Sequence, residues 1–249
     1  MNDLINSFCS VPLRRRVYEE VCSHTPIVFI QSNDSFWRSE TKNGQTTIYH
    51  AAADHPEACL AHELLHAKVK SNGYKQYAVA ICRTSKKNSI AHLLEILDNE
   101  LQHHKFYREF LALGFEPSQM YADSDKDVWT KVRRGVAGIC KTDPLDKFLE
   151  QYVTIIAPGG VENKKQRREA ERRLRKRCLP GHWERLLSIG NAITRFGDNT
   201  VLDAGPTIVE ILKAVGGYEP TWIGWSEQFP GSGLFVGEPF TLDGSKSTG

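Results

Sequence analysis

No stretch of this 249-residue chain approaches the roughly 20 continuous apolar residues that a membrane-spanning helix requires. The opening MNDLINSFCSVPLRRR also lacks an apolar core of the length needed for secretion. Residence in the cytoplasm, with no membrane partner, is therefore the expectation. Cysteine is thinly spread: Cys9, Cys22, Cys59, Cys82, Cys140 and Cys178 form no C-x-x-C pair and no dense spacing. This argues against a disulfide framework or a structural zinc knuckle and leaves buried thiols. No internal repeat is present, so a solenoid or propeller is not expected.

Apolar residues make up 40% of the chain and charged residues 25%, the balance of an ordinary globular protein. The length allows a substantial core without borrowed stability, so a metal found here should do chemistry. The N-terminal part reads as a short helix around Arg14 to Val21 and a strand at Ile27 to Ile30. A turn at Asn33, Asp34 and Ser35 follows, then a second strand from Gln45 to His50 after Asn43-Gly44. Asp54 and Pro56 signal the start of a helix that persists to Val69 or Lys70 before Asn72-Gly73. Tyr77 to Cys82 reads as a short strand or buried linker.

A second long helix is predicted from Ser89 to Leu113, closed by Gly114. Further helices are predicted near Asp125 to Ala137, Pro144 to Ile156, Glu162 to Arg177, His182 to Arg195 and Pro206 to Val215. The last thirty or so residues, with Trp222, Trp225 and several glycines, read as irregular chain before a flexible Gly-Ser-Lys-Ser-Thr-Gly end. The expected fold is α+β: one helix-rich domain over residues 1–249, with a small N-terminal β-sheet and a long helical C-terminal part. A weak boundary signal lies at Pro158-Gly159-Gly160.

Within the first of the two long helices stands Cys59-Leu-Ala-His-Glu-Leu-Leu-His-Ala-Lys68. His62 and His66, four apart, project from one face and can meet one ion. Glu63 is offset by roughly 100°, beside such an ion without being a natural ligand to it. Zinc accepts two imidazole nitrogens, and a neighbouring glutamate can then serve as general base toward a water at the metal. A chance match, with both histidines in ordinary core or surface roles, is the alternative.

A catalytic zinc keeps three protein ligands and one open position. On the second long helix, Leu93, Leu97, Glu100, His104, Tyr107 and Leu111 follow core-facing spacing, whereas Glu95, Asn99, Gln102, Lys105 and Glu109 fall on a polar face turned toward water. A carboxylate in a core-facing stripe needs a cation or donor, which makes Glu100 the expected third ligand. His104 and His103 are the alternatives. Tyr107 is a candidate oxyanion stabiliser or an ordinary core tyrosine. Cys59 reads as a buried thiol rather than a fourth ligand. His50 and His55, flanking the helix entry, read as cap or loop residues with substrate contact as the alternative.

Through His62-Glu63-Leu64-Leu65-His66 the sequence resembles the zincin metallopeptidases, and it is similar to their gluzincin subgroup if Glu100 completes the site. The resemblance covers Gln45 to Leu113. It implies zinc-dependent peptide hydrolysis with Glu63 as general base, Zn²⁺ on His62, His66 and a glutamate of a following helix, and a peptide or protein substrate. Lys70 stands where the metzincin pattern places its last histidine, so that subgroup is not matched. A looser resemblance is to small cytosolic zincins of bacterial regulatory and defence systems, which cut a protein partner.

Outside the motif, Glu162 to Arg177 carries nine basic and three acidic residues, a net +6 in a chain whose total is +2. Nucleic acid or an acidic protein could be steered to it, or it could be a solvated helix with i,i+4 pairs at Lys165–Glu169, Glu169–Arg173 and Glu171–Arg175. A regulatory binding module using this segment, with zinc structural or absent, is the alternative to the peptidase. Trp222 and Trp225 read as a strap over the core, with a peptide-binding lip as the alternative.

Overall fold

The computed structural model describes residues 1–33, 36–122 and 128–242. Asp34 and Ser35 of the expected turn, the start of the helix expected at Asp125, and the Gly-Ser-Lys-Ser-Thr-Gly end lie outside the described residues. The elements in chain order are α1 (Asn2–Cys9), α2 (Pro12–His24), β1 (Ile27–Gln31), β2 (Arg38–Lys42), β3 (Gln45–His50), α3 (Pro56–Ser71), β4 (Val79–Cys82) and α4 (Ile90–Ala112). There follow α5 (Val128–Gly138), α6 (Leu145–Ile156), α7 (Lys164–Arg177), α8 (His182–Asp198), α9 (Gly205–Val215), β5 (Thr221–Gly224) and β6 (Gly233–Val236). Single 3₁₀ turns occur at Ser85–Asn88 and Pro117–Tyr121.

The fold is α+β and helix-rich, with a small N-terminal sheet and a long helical stretch toward the C-terminus, as the sequence predicts. Two compact units divide the chain. The first comprises Met1–Tyr74, Gln102–Gly138 and Thr154–Leu174; the second comprises Lys75–Leu101, Ile139–Val153 and the chain from Arg175 onward. Pro158-Gly159-Gly160 lies inside the first unit.

In the first unit, β3 is the central strand, parallel to β1 and antiparallel to β2. Ile48 and Thr46 of β3 are buried, while β2 is almost wholly exposed. The strand β3 ends at His50 and leads into α3, whose start is set by Pro56 in the first turn. The N-cap is His55, with no side-chain cap, in place of the expected Asp54. From Ala58 to Ala67 every residue of α3 is buried, so this helix is enclosed on all sides rather than half-solvated. Arg14 of α2 fixes its start, pairing with Glu57 at 2.6 Å and donating to the Leu113 carbonyl at 2.9 Å. Lys68 fixes its end between Glu20 at 2.9 Å and Glu109 at 2.7 Å.

The second unit corrects one expectation. The segment read as irregular chain supplies β5 and β6, which join β4 in an antiparallel sheet of order β4-β5-β6. Trp222 of β5 is buried, and a Cβ at Gly233 would fall 2.5 Å from its indole, so the neighbouring glycine makes room for a ring lying across the strand. Trp225 is 42% exposed, with Lys75 over its ring at 4.6 Å.

Candidate metal centre

Three histidines of the first unit converge. His62 and His66 come from α3, His103 from α4, and one ligating nitrogen of each lies within 4.8 Å of the others. Ring centroids are 4.8 Å apart for His62–His66, 4.9 Å for His62–His103 and 5.1 Å for His66–His103. All three are buried, and so is Glu63, at 4% exposure on the turn of helix between the motif histidines. The sequence reading placed Glu100 as third donor. The structure instead brings His103 into the group, and Glu100, three residues earlier on α4 and only half-buried, is outside it.

Each imidazole has its outer nitrogen engaged. His62 Nδ1–H donates to the Met120 carbonyl at 2.7 Å, and His66 Nδ1–H donates to Gln102 Oε1 at 2.9 Å. His103 Nδ1 meets the Tyr121 hydroxyl at 3.2 Å. Because a carbonyl and an amide oxygen can only accept, neutral His62 and His66 rings carry their lone pairs on Nε2. Those two atoms face each other at 3.0 Å. Two lone pairs so placed repel unless a cation lies between them. On a tetrahedral zinc with Zn–N of about 2.05 Å, two ligand nitrogens sit roughly 3.3 Å apart. The donor set therefore fits zinc: three imidazoles with ligating nitrogens gathered and outer nitrogens anchored, one donor short of a closed structural site.

Burial, then the neighbouring His62 and His103 rings, hold the His66 pKa well below its ordinary 6.5; burial, then His62 and His104, do the same for His103. Both rings are thus kept neutral, the form that binds metal. Phe106 packs edge-on against all three, with centroids 5.6, 4.8 and 5.6 Å from His62, His66 and His103. This apolar shell strengthens any electrostatic interaction within the cluster.

Two of the outer partners, Met120 and Tyr121, lie outside the elements from which the site is expected. Met120 and Tyr121 belong to the 3₁₀ turn Pro117–Tyr121, which is held at the entry of α3: Gln119 Oε1 accepts from the Glu116 N–H at 2.8 Å and its Nε2 meets His55 Nδ1 at 3.2 Å. His55 therefore ties the turn to the start of the motif helix. Gln102, expected to face water, is 2% exposed. Tyr107 is not part of the cluster; its hydroxyl accepts from the Gly159 backbone, and burial raises its pKa. Cys59 is buried and lies outside the group, and His50 packs against Trp37 with ring centroids 5.7 Å apart. His103, an alternative donor in the sequence, is signalled there only by its pairing with His104 on the next helix.

His62-Glu63-x-x-His66 with His103 is a zinc-type triad with an acid alongside, the arrangement that supports metal-dependent peptide hydrolysis. It resembles the zincin layout in taking its third donor from a following helix, with an imidazole where the gluzincin subgroup has a carboxylate. Set against protein-family models, curated proteins and solved structures, the chain finds no match.

Proposed function

We propose that this protein is a zinc-dependent endopeptidase acting on a restricted peptide or protein substrate in the cytoplasm, with His62, His66 and His103 as the metal ligands and Glu63 as general base. The observation that carries it is the 3.0 Å approach of two inward-facing imidazole nitrogens whose outer nitrogens are already committed, with a buried glutamate on the same helix.

When bound, zinc would polarise the scissile carbonyl and acidify the attacking water. The three imidazoles hold that charge in place, and Met120, Gln102 and Tyr121 keep each ring in its orientation. Neither motif histidine could act as base with zinc bound, because Nδ1 donates and Nε2 would hold the metal. Glu63 takes the proton from the attacking water and delivers it to the leaving nitrogen. Among the described residues no helix is long and apolar enough to cross a membrane.

The test is purified protein against a library of proteome-derived peptides, read by mass spectrometry for new termini. Wild-type protein should hold about one zinc and cut a narrow subset. Glu63→Gln should keep the zinc and lose cleavage; cleavage at the wild-type rate would remove Glu63 as the base.

A further inference from the structure

The basic segment is one continuous helix, α7, with only Ala170 and Leu174 buried. At 100° per residue, Lys164, Lys165, Arg168, Arg172, Arg175 and Lys176 fall within an arc of roughly 120°. The arc lies nearly opposite the two buried residues, and all six side chains are exposed. From first to last the stripe is about 18 Å long. Among the described residues, the helix's own acids pair with one of the six, Arg172. Glu169 is taken by Arg172 and Arg173, both at 2.6 Å, and Glu171 turns back to Arg167 at 3.3 Å. Among the described residues, Lys164, Lys165, Arg168, Arg175 and Lys176 form no ion pair. Of the three i,i+4 pairs expected from the sequence, Glu169–Arg173 is present.

The composition of this face selects its partner. Insertion into a lipid surface needs an exposed apolar face, and the apolar side of α7 is turned inward. A protein interface centres on aromatic or aliphatic anchors, and the outward arc of α7 has none. Base stacking with a single strand needs exposed aromatic rings, which this arc also lacks. What remains is a row of cations with no apolar anchor, suited to a row of phosphates. One strand of a duplex presents a charge every 3.4 Å of axis, about five over the length of the stripe.

We propose that the outward face of α7 docks the phosphate backbone of duplex nucleic acid without reading its sequence. This inference is independent of the metal centre.

The test is fluorescence anisotropy of labelled 20-base-pair duplexes of two unrelated sequences, titrated with full-length protein from 50 to 200 mM salt. If all six cations engage, the log–log salt slope is about −5 and affinity falls about 10³-fold across that range, equally for both sequences. Arg168→Gln combined with Arg175→Gln should reduce the slope by about 2. Circular dichroism and zinc content should match wild type, which shows that the variant is folded. Unchanged affinity and slope in the variant would overturn the proposal. So would a failure to bind duplex alongside tight binding to poly-glutamate or to phosphatidylserine vesicles, which would assign the face to an acidic protein or a membrane instead.

Discussion

Gln102 provides a test of how the centre is built, because it orients one ligand without touching the position a metal would take. Its Oε1 accepts from His66 Nδ1 at 2.9 Å in a site where Gln102 is 2% exposed. In Gln102→Leu the ring loses the acceptor that fixes its tautomer, and no water can replace it without opening the core. Loss of such an outer partner typically weakens metal binding 10- to 100-fold. At about 1.36 kcal/mol per decade this is about 1.4 to 2.7 kcal/mol, within the range expected for a buried donor left without its acceptor. Gln102→Glu supplies a stronger acceptor of the same length. It should bind zinc at least as tightly as wild type, while its metal-free form is less stable because a carboxylate is buried. Competition against a chromogenic chelator gives the affinities, and urea unfolding with and without zinc gives the stabilities. A Leu variant within twofold of wild type, or a Glu variant no better than Leu, would refute the idea that Gln102 sets the ring.

Other expectations concern the supports around the centre. Gly159 has φ +70°, and a Cβ there would lie 2.6 Å from Met120 Cβ and 2.8 Å from the Pro117 carbonyl. Gly159→Ala should therefore cost at least about 1–2 kcal/mol of stability for the left-handed backbone alone. By displacing Met120 it should also weaken zinc binding; wild-type affinity in the chelator assay would contradict the role given to the turn. Phe106→Ala should destabilise by about 3–5 kcal/mol in urea unfolding, as a buried ring closing over three imidazoles is removed.

Asp203 tests the second unit. Burial pushes its pKa up, but donors from Lys75, Tyr77 and the Gly205 N–H outweigh burial and hold it below 3.8. The carboxylate therefore adds stability above pH 3.8 and loses that contribution as pH falls through the lower folded value. Asp203→Asn should be less stable than wild type by about 1.5–3 kcal/mol at pH 7. The gap should shrink below pH 3.8; a gap constant with pH would contradict the assignment.

Much of the architecture was legible because the governing signals are local. The i,i+4 histidines, Pro56 and Asn72-Gly73 define α3, and Gly114 closes α4 where expected. The strand β2, Arg-Ser-Glu-Thr-Lys, was not legible because an exposed strand has no apolar face to betray it. The β4-β5-β6 sheet was hidden for another reason: glycines that normally mark turns here admit the Trp222 indole. Helical phase favoured Glu100 over His103, the residue that joins the histidine cluster. A single stripe extended from Leu93 and Leu97 reaches Glu100 and His104. Yet the buried set of α4 is Ile90, Leu93, Leu94, Leu97, Asp98 and Leu101 in its first part, and Gln102, His103, Phe106 and Phe110 in its second. Between those sets the buried face turns by roughly 160° around the helix. Periodicity read from one half could not place a side chain in the other.

The most direct test compares zinc content and affinity in two variants of α4, His103→Ala and Glu100→Gln, purified alongside wild type and measured by elemental analysis and chelator competition. With His62, His66 and His103 as the ligands, Glu100→Gln retains about one zinc at near wild-type affinity. His103→Ala loses zinc or binds it at least 100-fold more weakly. Retention of tight zinc by His103→Ala together with loss in Glu100→Gln would contradict the account.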